Sequence, residues 1–435
     1  MPGRYRTWWL IGASFVFYGW SGLEHALVLA ASLLWVFALT ASPGMIGHKG
    51  RLAAAIIAPL GALFFYKYLS FALGSFRSFF NTPVTANFSL FDDVLLPAGK
   101  SFFTFQLLAF AIDRYRGKIE TQPPFAEIAL YISFFPQLVA GPILRYDDVK
   151  EALRRLGSFF PTMRDIGEAA GYIIFGLAGK ILVADAISNT MVPMVASPGE
   201  LSAAAAAYVI IGYSFQIYFD FYAYSLIAIG LGRLFGFHFP ANFLRPYDAL
   251  NPRDFWRRWH VSLSFWIRDY LYFPLGGNRH YLRNIIIIFA VCGLWHGAGW
   301  NFVVWGLYHG LLVGGYHFVS GPWDRLPKPL QWGLNITLVS LGWSLFLYDF
   351  SGAWSLLTSL GGEGGNIMPQ AWNWLILIFA AVVCFALNVE RTIKYLVEAE
   401  SSALSRITFG AGLAGLLILA VSFIDRSNTF IYFRF

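Results

Sequence analysis

NPRDFWRRWHVSLSFWIRDYLYFPLGGNRHYLRNIIIIFAVCGLWHGAGWNFVVWGLYHG, residues 251–310, runs from a polar, arginine-dense segment into a deeply apolar one. His260 stands in the first part among arginines and tryptophans, and His296 in the second, beyond an apolar run, in a Leu-Trp-His-Gly-Ala-Gly-Trp turn. An ionisable group at membrane depth is costly to keep, so such a residue is a functional-site hypothesis by default. The rest of the chain reads as a container for these two histidines.

The composition supports a membrane setting. Hydrophobic residues make up 57% of the 435 and charged residues only 13%, and mean hydropathy is +0.57. A soluble domain carries roughly a quarter charged residues. Apolar runs long enough for helical crossings recur, with no period-two pattern of a barrel. The fold expected is an all-α polytopic membrane protein of ten to twelve transmembrane or re-entrant helices, in a single domain over 1–435. The first run, Trp8 to Trp20, is followed by no small-residue cleavage site and reads as a retained helix. Cys292 and Cys384 both lie in apolar runs, against a disulfide framework and against a cysteine metal site. The net charge of +7 resides in loop arginines, as the positive-inside bias requires, and does not point to nucleic acid.

Taken in order, spans are expected near 8–20, 25–41, 52–73 and 98–112, with the loop 76–96, which holds Asp92 and Asp93, outside. The stretch 126–145 contains Pro136, Gly141 and Pro142 and is followed by Arg145, Lys150, Arg154, Arg155 and Arg164. Cytoplasmic charge on both sides predicts a re-entrant segment, which is tolerated only where it lines a cavity or is buried in protein. Spans follow at 166–188, carrying Lys180 and Asp185, and at 203–231, carrying Gln216 and Asp220. The arginine-rich block 232–283 reads as cytoplasmic. Then come 284–319, too long for one crossing, and 333–350, 370–388 and 407–424.

Read as one helix, 253–273 places Arg253, Arg257, His260, Ser264 and Arg268 on one face and Trp256, Trp259, Leu263, Trp266, Tyr270 and Phe273 on another, with Asp254 and Arg258 paired at i, i+4. Two readings fit: a membrane-surface anchor, or a basic face that holds the phosphates of an anionic donor. His296 lies about 18 Å along a helix begun near Asn284, near the middle of a ~30 Å hydrocarbon core. There it is either a structural histidine bonded between helices or a neutral imidazole fit for general-base work. His309 is a lesser candidate for the same cavity. His25, His48, His238 and His280 fall at span ends or loops. No HExxH, CxxC or carboxylate cluster with metal spacing appears, so no metal is expected, and neither a GxSxG elbow nor a Walker loop is present.

Four stretches carry a resemblance: FFPQLVAGPI (134–143), YSFQIYFDFYAYSLIAIGLGRLFGF (213–237), NFLRPYDALNPRDFWRRWHVSLSFWIRDYLYFPLGGNR (242–279) and GLWHGAGWNFVVWGLYHG (293–310). Together they are similar to the membrane-bound O-acyltransferase family, in the branch of bacterial alginate O-acetyltransferases and teichoic acid D-alanyl transferases. GKSFFTFQ (99–106) and FYGW (17–20) match more weakly. The resemblance covers roughly 8 to 350, with a core at about 98–320, and gives nothing for the last 85 residues.

It implies a ring of helices around a central tunnel, with acyl donor entering from the cytoplasm and acceptor hydroxyl from the far side. The family's invariant histidine matches His296, and the branch's second histidine matches His260. The function implied is an O-acyltransferase, most simply an O-acetyltransferase, of a bacterial inner membrane. It would use acyl-CoA (acetyl-CoA) as co-substrate, with Arg253, Arg257 and Arg268 as donor-binding residues. Trp295, Trp300, Asn301, His309, Asp220, Gln216, Pro136 and Gln137 are candidates for the tunnel lining. Its acceptor would be a cell-envelope polysaccharide such as alginate, cellulose or peptidoglycan, reached through an extracytoplasmic partner protein. Three departures stand out: Tyr222 and Ala223 replace a small pair and Leu226 an acidic residue in one motif, Lys100 replaces an aliphatic residue, and the match begins at FYGW, where many members of the family are expected to carry a further helix upstream. Two rivals are a secondary transporter coupled through Lys180, Asp220 and His296, and a non-catalytic envelope scaffold.

Overall fold

The computed structural model describes residues 3–42, 44–80, 99–138, 141–397 and 402–431. The described residues are helical, with one isolated bridge, Leu201 to Ile367, in place of any sheet. They form two compact units: Met1–Pro161 with Gly232–Phe239, and Thr162–Leu231 with Pro240–Phe435.

In the first unit, α1 (Gly3–Gly19), α2 (Leu23–Ala41), α3 (Lys49–Phe80) and α4 (Lys100–Tyr115) are the long elements. The helix α4 is buried almost throughout. Its Lys100 ammonium lies 4.4 Å over the Tyr66 ring, a cation–π contact that makes burial of this unusual lysine tolerable. The loop that holds Asp92 and Asp93 lies outside the described residues.

The stretch expected to re-enter breaks into α5 (Phe125–Ser133) and α6 (Phe135–Leu138) before α7 (Tyr146–Arg155). Nine helical residues extend about 14 Å, less than half of a ~30 Å hydrocarbon core. Pro136 ends the first helix's hydrogen bonding, and a Cβ at Gly141 would stand 2.4 Å from Gln137 Cα. Gln137 is held in a reciprocal amide pair with Gln106, at 3.2 and 3.4 Å.

The second unit begins with α8 (Met163–Val195) and α9 (Ala203–Leu234). Within α8, residues Gly179–Asp185 form a π-helical turn. That turn brings positions five apart onto one face, so Lys180 Nζ reaches Asp185 at 2.6 Å and, across to α9, Asp220 at 2.8 Å. Next come α10 (Pro252–Arg258) and α11 (Val261–Ile267), a π-turn over Arg268–Tyr272, and the hairpin of α12 (Tyr281–His296) and α13 (Trp300–Asp324). Thus 284–319 resolves into two antiparallel helices, joined at Gly297–Gly299.

Glycines set that hairpin. A Cβ at Gly293 would fall 2.1 Å from the Phe302 carbonyl oxygen, and one at Gly306 would fall 2.1 Å from that of Phe289. The two backbones touch, the close approach that small residues permit in membrane helices. The unit continues through α14 (Lys328–Gly342), α15 (Ser344–Leu347), α16 (Phe350–Thr358), the bent pair α17 (Ala371–Ala386) and α18 (Val389–Val397), and α19 (Ala403–Ser422).

Among the described residues, five helices are long and apolar enough to cross a membrane alone, or six with the bent pair. The chain is therefore a multi-pass membrane protein. Other apolar helices, α12 and α4 among them, have 16 residues and fall short of a full crossing.

Candidate active site

The second unit gathers three imidazoles into one aromatic cluster. His296 ends α12, with its ring centroid 4.8 Å from Trp295, 5.1 Å from Trp305 and 5.4 Å from Phe346. The opposite side of the cluster is His309, 5.0 Å from the same Trp305 and 5.2 Å from Trp256. Trp305 thus lies against both rings. His260 joins through Trp295 at 6.0 Å and meets Phe221 edge-on at 4.7 Å. All three histidines are buried, at 1%, 3% and 0% exposure for His260, His296 and His309; His25 of the first unit is buried as well, at 5%, so the shared aromatic cluster is what sets the three apart.

The expected helix over 253–273 does not hold. Trp259 is extended and His260 takes the left-handed conformation, φ 45° and ψ 56°, so the chain turns sharply between α10 and α11. A β-carbon makes that conformation strained, and such strain persists only where neighbours over-determine it. Asn242 is that neighbour. Its carbonyl oxygen accepts the Ser262 N–H at 3.1 Å and the Ser262 hydroxyl at 2.9 Å, and its backbone carbonyl accepts from Val261 N–H.

With Asn242 Oδ1 fixed as an acceptor, His260 Nδ1, 3.1 Å away, is the N–H donor, and the ring's lone pair belongs to Nε2. Burial pushes this imidazole down to about 3, so it is neutral at physiological pH. His260 is therefore not on the basic face where periodicity placed it. Most of the aromatic face is turned into the protein, with Trp259, Leu263, Trp266 and Tyr270 buried, and Phe273, at 56% exposure, is the member left outside. Asp254 and Arg258 do pair, at 3.0 Å.

The remaining members of that basic face meet at one place. Arg253, Arg257, Ser264 and Arg268 line a cavity of about 660 Å³, together with Trp256, Tyr272 and Tyr281 and with an apolar wall that includes Phe289 and Cys292. Such a volume suits a small-molecule ligand. The guanidinia of Arg253 and Arg257 supply the fork geometry that matches phosphate oxygens, whereas that of Arg268 already donates to both carboxylate oxygens of Asp269, at 2.7 and 3.2 Å. Cys292 precedes His296 by one turn of α12. Trp256, which lines the cavity, is also the ring against His309 and, at 5.8 Å, Trp305. The cavity is one aromatic layer from the imidazoles.

Several other candidates are placed elsewhere. Trp300 is 56% exposed at the start of α13 and so does not join the buried cluster that holds Trp295. Asn301 donates to the carbonyls of Leu345 and Tyr348 at 3.0 and 3.2 Å, which satisfies the end of α15. Asp220 is held in the Lys180 ion cluster and accepts the Ile431 N–H at 2.7 Å. Gln216, half-buried, lies one turn before it on α9. Pro136 and Gln137 belong to the first unit. The N–H groups of Gly297 and Gly299 already donate to Gly293 and Gly297 carbonyls, so neither is available as an oxyanion donor.

Leu226, at the family's acidic position, is buried against Val389 and Ile393 of α18. Beside it the Tyr222 hydroxyl donates to Glu390, 3.0 Å from both oxygens. Asn242, Trp305 and Phe221 were not singled out from the sequence. An asparagine 18 residues from its histidine, or a tryptophan in an apolar helix, has no local signature.

A membrane-embedded helical protein with a buried imidazole cluster beside an arginine-rimmed cavity has the parts of an acyl-transfer catalyst. The model of the membrane-bound O-acyltransferase family matches residues 60–348. The chain belongs to this family and is an O-acyltransferase. It is 33% identical to the probable alginate O-acetylase of Azotobacter vinelandii over 83% of this chain and 74% of that one. The corresponding Pseudomonas aeruginosa protein is 33% identical over 88% and 77%. The peptidoglycan O-acetyltransferase of Helicobacter pylori is 34% identical over 78% and 70%.

Proposed function

We propose that this protein is an O-acetyltransferase of a bacterial inner membrane that moves acetyl groups from cytoplasmic acetyl-CoA toward hydroxyls of a cell-envelope polysaccharide, alginate, cellulose or peptidoglycan, with an extracytoplasmic partner protein completing delivery. The relatives' acetylase and acetyltransferase names support the acyl group and the acceptor class. One observation of the chain itself carries the donor: the arginine-rimmed cavity whose apolar wall reaches Cys292, one helical turn from His296.

In this reading Arg253 and Arg257, with Arg268 beside its Asp269 partner, hold the donor's phosphates, and the acetyl end passes Trp256 to reach His296. His296 takes the acceptor hydroxyl's proton while that oxygen attacks the thioester carbonyl. The tetrahedral oxyanion is met by the Trp295 indole N–H. Its collapse breaks the C–S bond, and the departing CoA thiolate takes the proton from the His296 imidazolium. A hydroxyl is a poor nucleophile at neutral pH, so the positioned base contributes about 10²–10⁴-fold. His260, neutral and fixed by Asn242, accepts at Nε2, so in this reading it orients the acceptor hydroxyl by taking a hydrogen bond and does not polarise the donor carbonyl.

The donor assignment is tested on purified protein. Arg257→Glu is expected to raise the apparent KM for acetyl-CoA about tenfold, equivalent to ~1.4 kcal/mol, with added salt weakening binding to the native protein. Acetyl-CoA is expected to slow alkylation of Cys292 and leave Cys384 unaffected. An unchanged KM together with unprotected Cys292 would place the donor elsewhere.

A further inference from the structure

Residues 424–431 lie beyond the stretch the family model matches, yet they are bound into the second unit at the Lys180–Asp185–Asp220 ion cluster. The short turn Ile424–Arg426 follows α19. The Arg426 carbonyl accepts from Asn189 at 3.1 Å, and Asn428 donates back to Asn189 at 3.0 Å. The Ile431 N–H donates to Asp220 Oδ2 at 2.7 Å, while Asp220 Oδ1 faces Lys180. Phe430 is fully buried, with its ring 4.0 Å from Tyr224 and 6.0 Å from Phe221. Phe221 in turn is the edge-on partner of His260.

This arrangement is more than a tether. A strand of chain held only for stability needs apolar cover, and Phe430 alone would supply it. Here a backbone N–H is also fixed by a charged carboxylate in a buried ion cluster, a strong hydrogen bond with a defined direction. That bond sets where residue 430 lies along α9. Phe221 is one residue past Asp220, so the same turn of α9 carries the anchor and the ring that touches His260. His260 itself sits in a strained backbone conformation, which needs support from every side. Asn242 supplies the polar support and Phe221 the apolar one.

We propose that the segment 424–431 is a positioning element for His260, with Phe430 fixing Phe221 and Phe221 fixing the imidazole. The inference rests on the reading of His260 as part of the catalytic machinery.

The test uses full-length protein carrying Phe430→Ala, His260→Ala or both. Phe430→Ala is expected to lower kcat roughly ten- to hundredfold and to leave the KM for acetyl-CoA within about twofold, the pattern of a misplaced group and not of lost binding. In the His260→Ala background the same change is expected to add little, because neighbours that act as one unit are non-additive. Carbethoxylation by diethyl pyrocarbonate, read by peptide mass spectrometry, is expected to quicken at His260 and not at the equally buried His309.

Undiminished turnover by Phe430→Ala, losses that multiply in the double variant, or His260 and His309 becoming reactive together would overturn the proposal. If His260→Ala keeps native turnover, the catalytic reading of His260 fails on its own. In that case, or if His260→Ala has no measurable turnover, the carbethoxylation arm decides whether the segment holds the ring.

Discussion

Lys180, Asp185 and Asp220 are buried as charges, whereas His260, His296 and His309 are buried among aromatic rings. In the first cluster one ammonium lies between two carboxylates, at 2.6 and 2.8 Å, and a backbone N–H binds the far oxygen of Asp220. Its groups are spent on one another. In the second, aromatic rings, a tryptophan among them in every case, cover each imidazole, and Asn242 fixes the tautomer of His260. The contrast separates two reasons for keeping polar atoms out of water. Mutually paired charges hold helices in place, while an imidazole in an aromatic shell is placed as the base of the proposed reaction would need to be. An ion-coupled transporter would need Lys180 and Asp220 to exchange partners with a cargo ion, and their mutual pairing gives that reading no support.

The comparison breaks first at the ion cluster. Lys180→Met leaves two carboxylates buried without their cation, and loss of one partner of a buried pair costs about 3–5 kcal/mol. The expected outcome is a protein that unfolds at markedly lower temperature in detergent, measured by thermal melting. A variant with native melting behaviour would show that the cluster does not hold α8 to α9.

How much of this contrast can be read in the sequence depends on whether the signal is local. His296 is legible, because a histidine closing an apolar run between glycines is unusual in itself. The hairpin is legible in part, through the length of 284–319 and the glycines at 297 and 299, while the packing roles of Gly293 and Gly306 are not. The Lys180–Asp185 pair is not: positions five apart fall on different faces of an α-helix, and only the π-turn aligns them. Nor is the turn at His260. No glycine or proline marks it, and the hydrogen bonds that hold it come from Asn242, outside the segment. Periodicity extended across that break still grouped Arg253, Arg257 and Arg268 correctly but put His260 with them. The role of 424–431 is invisible to local pattern because its contacts reach back to residues 189, 220 and 221.

A smaller effect sharpens the second cluster. The folded-state pKa of His260 is held near 3 by burial, below the ~6.5 of an exposed histidine. Below pH 6.5 the unfolded chain gains a proton that the folded protein refuses. Stability is therefore full above that value and is lost as pH falls from 6.5 toward 3. His260→Gln is expected to flatten this window in pH-dependent melting. An unchanged acid slope would mean that His260 is hydrated and titrates normally.

The central claim is that His296 is the base, and turnover by purified, correctly inserted His296→Ala tests it most directly. Acyl transfer is expected to fall about 10²–10⁴-fold with native melting behaviour, and His309→Ala is expected to retain most of its turnover. Near-native transfer by folded His296→Ala would contradict the account.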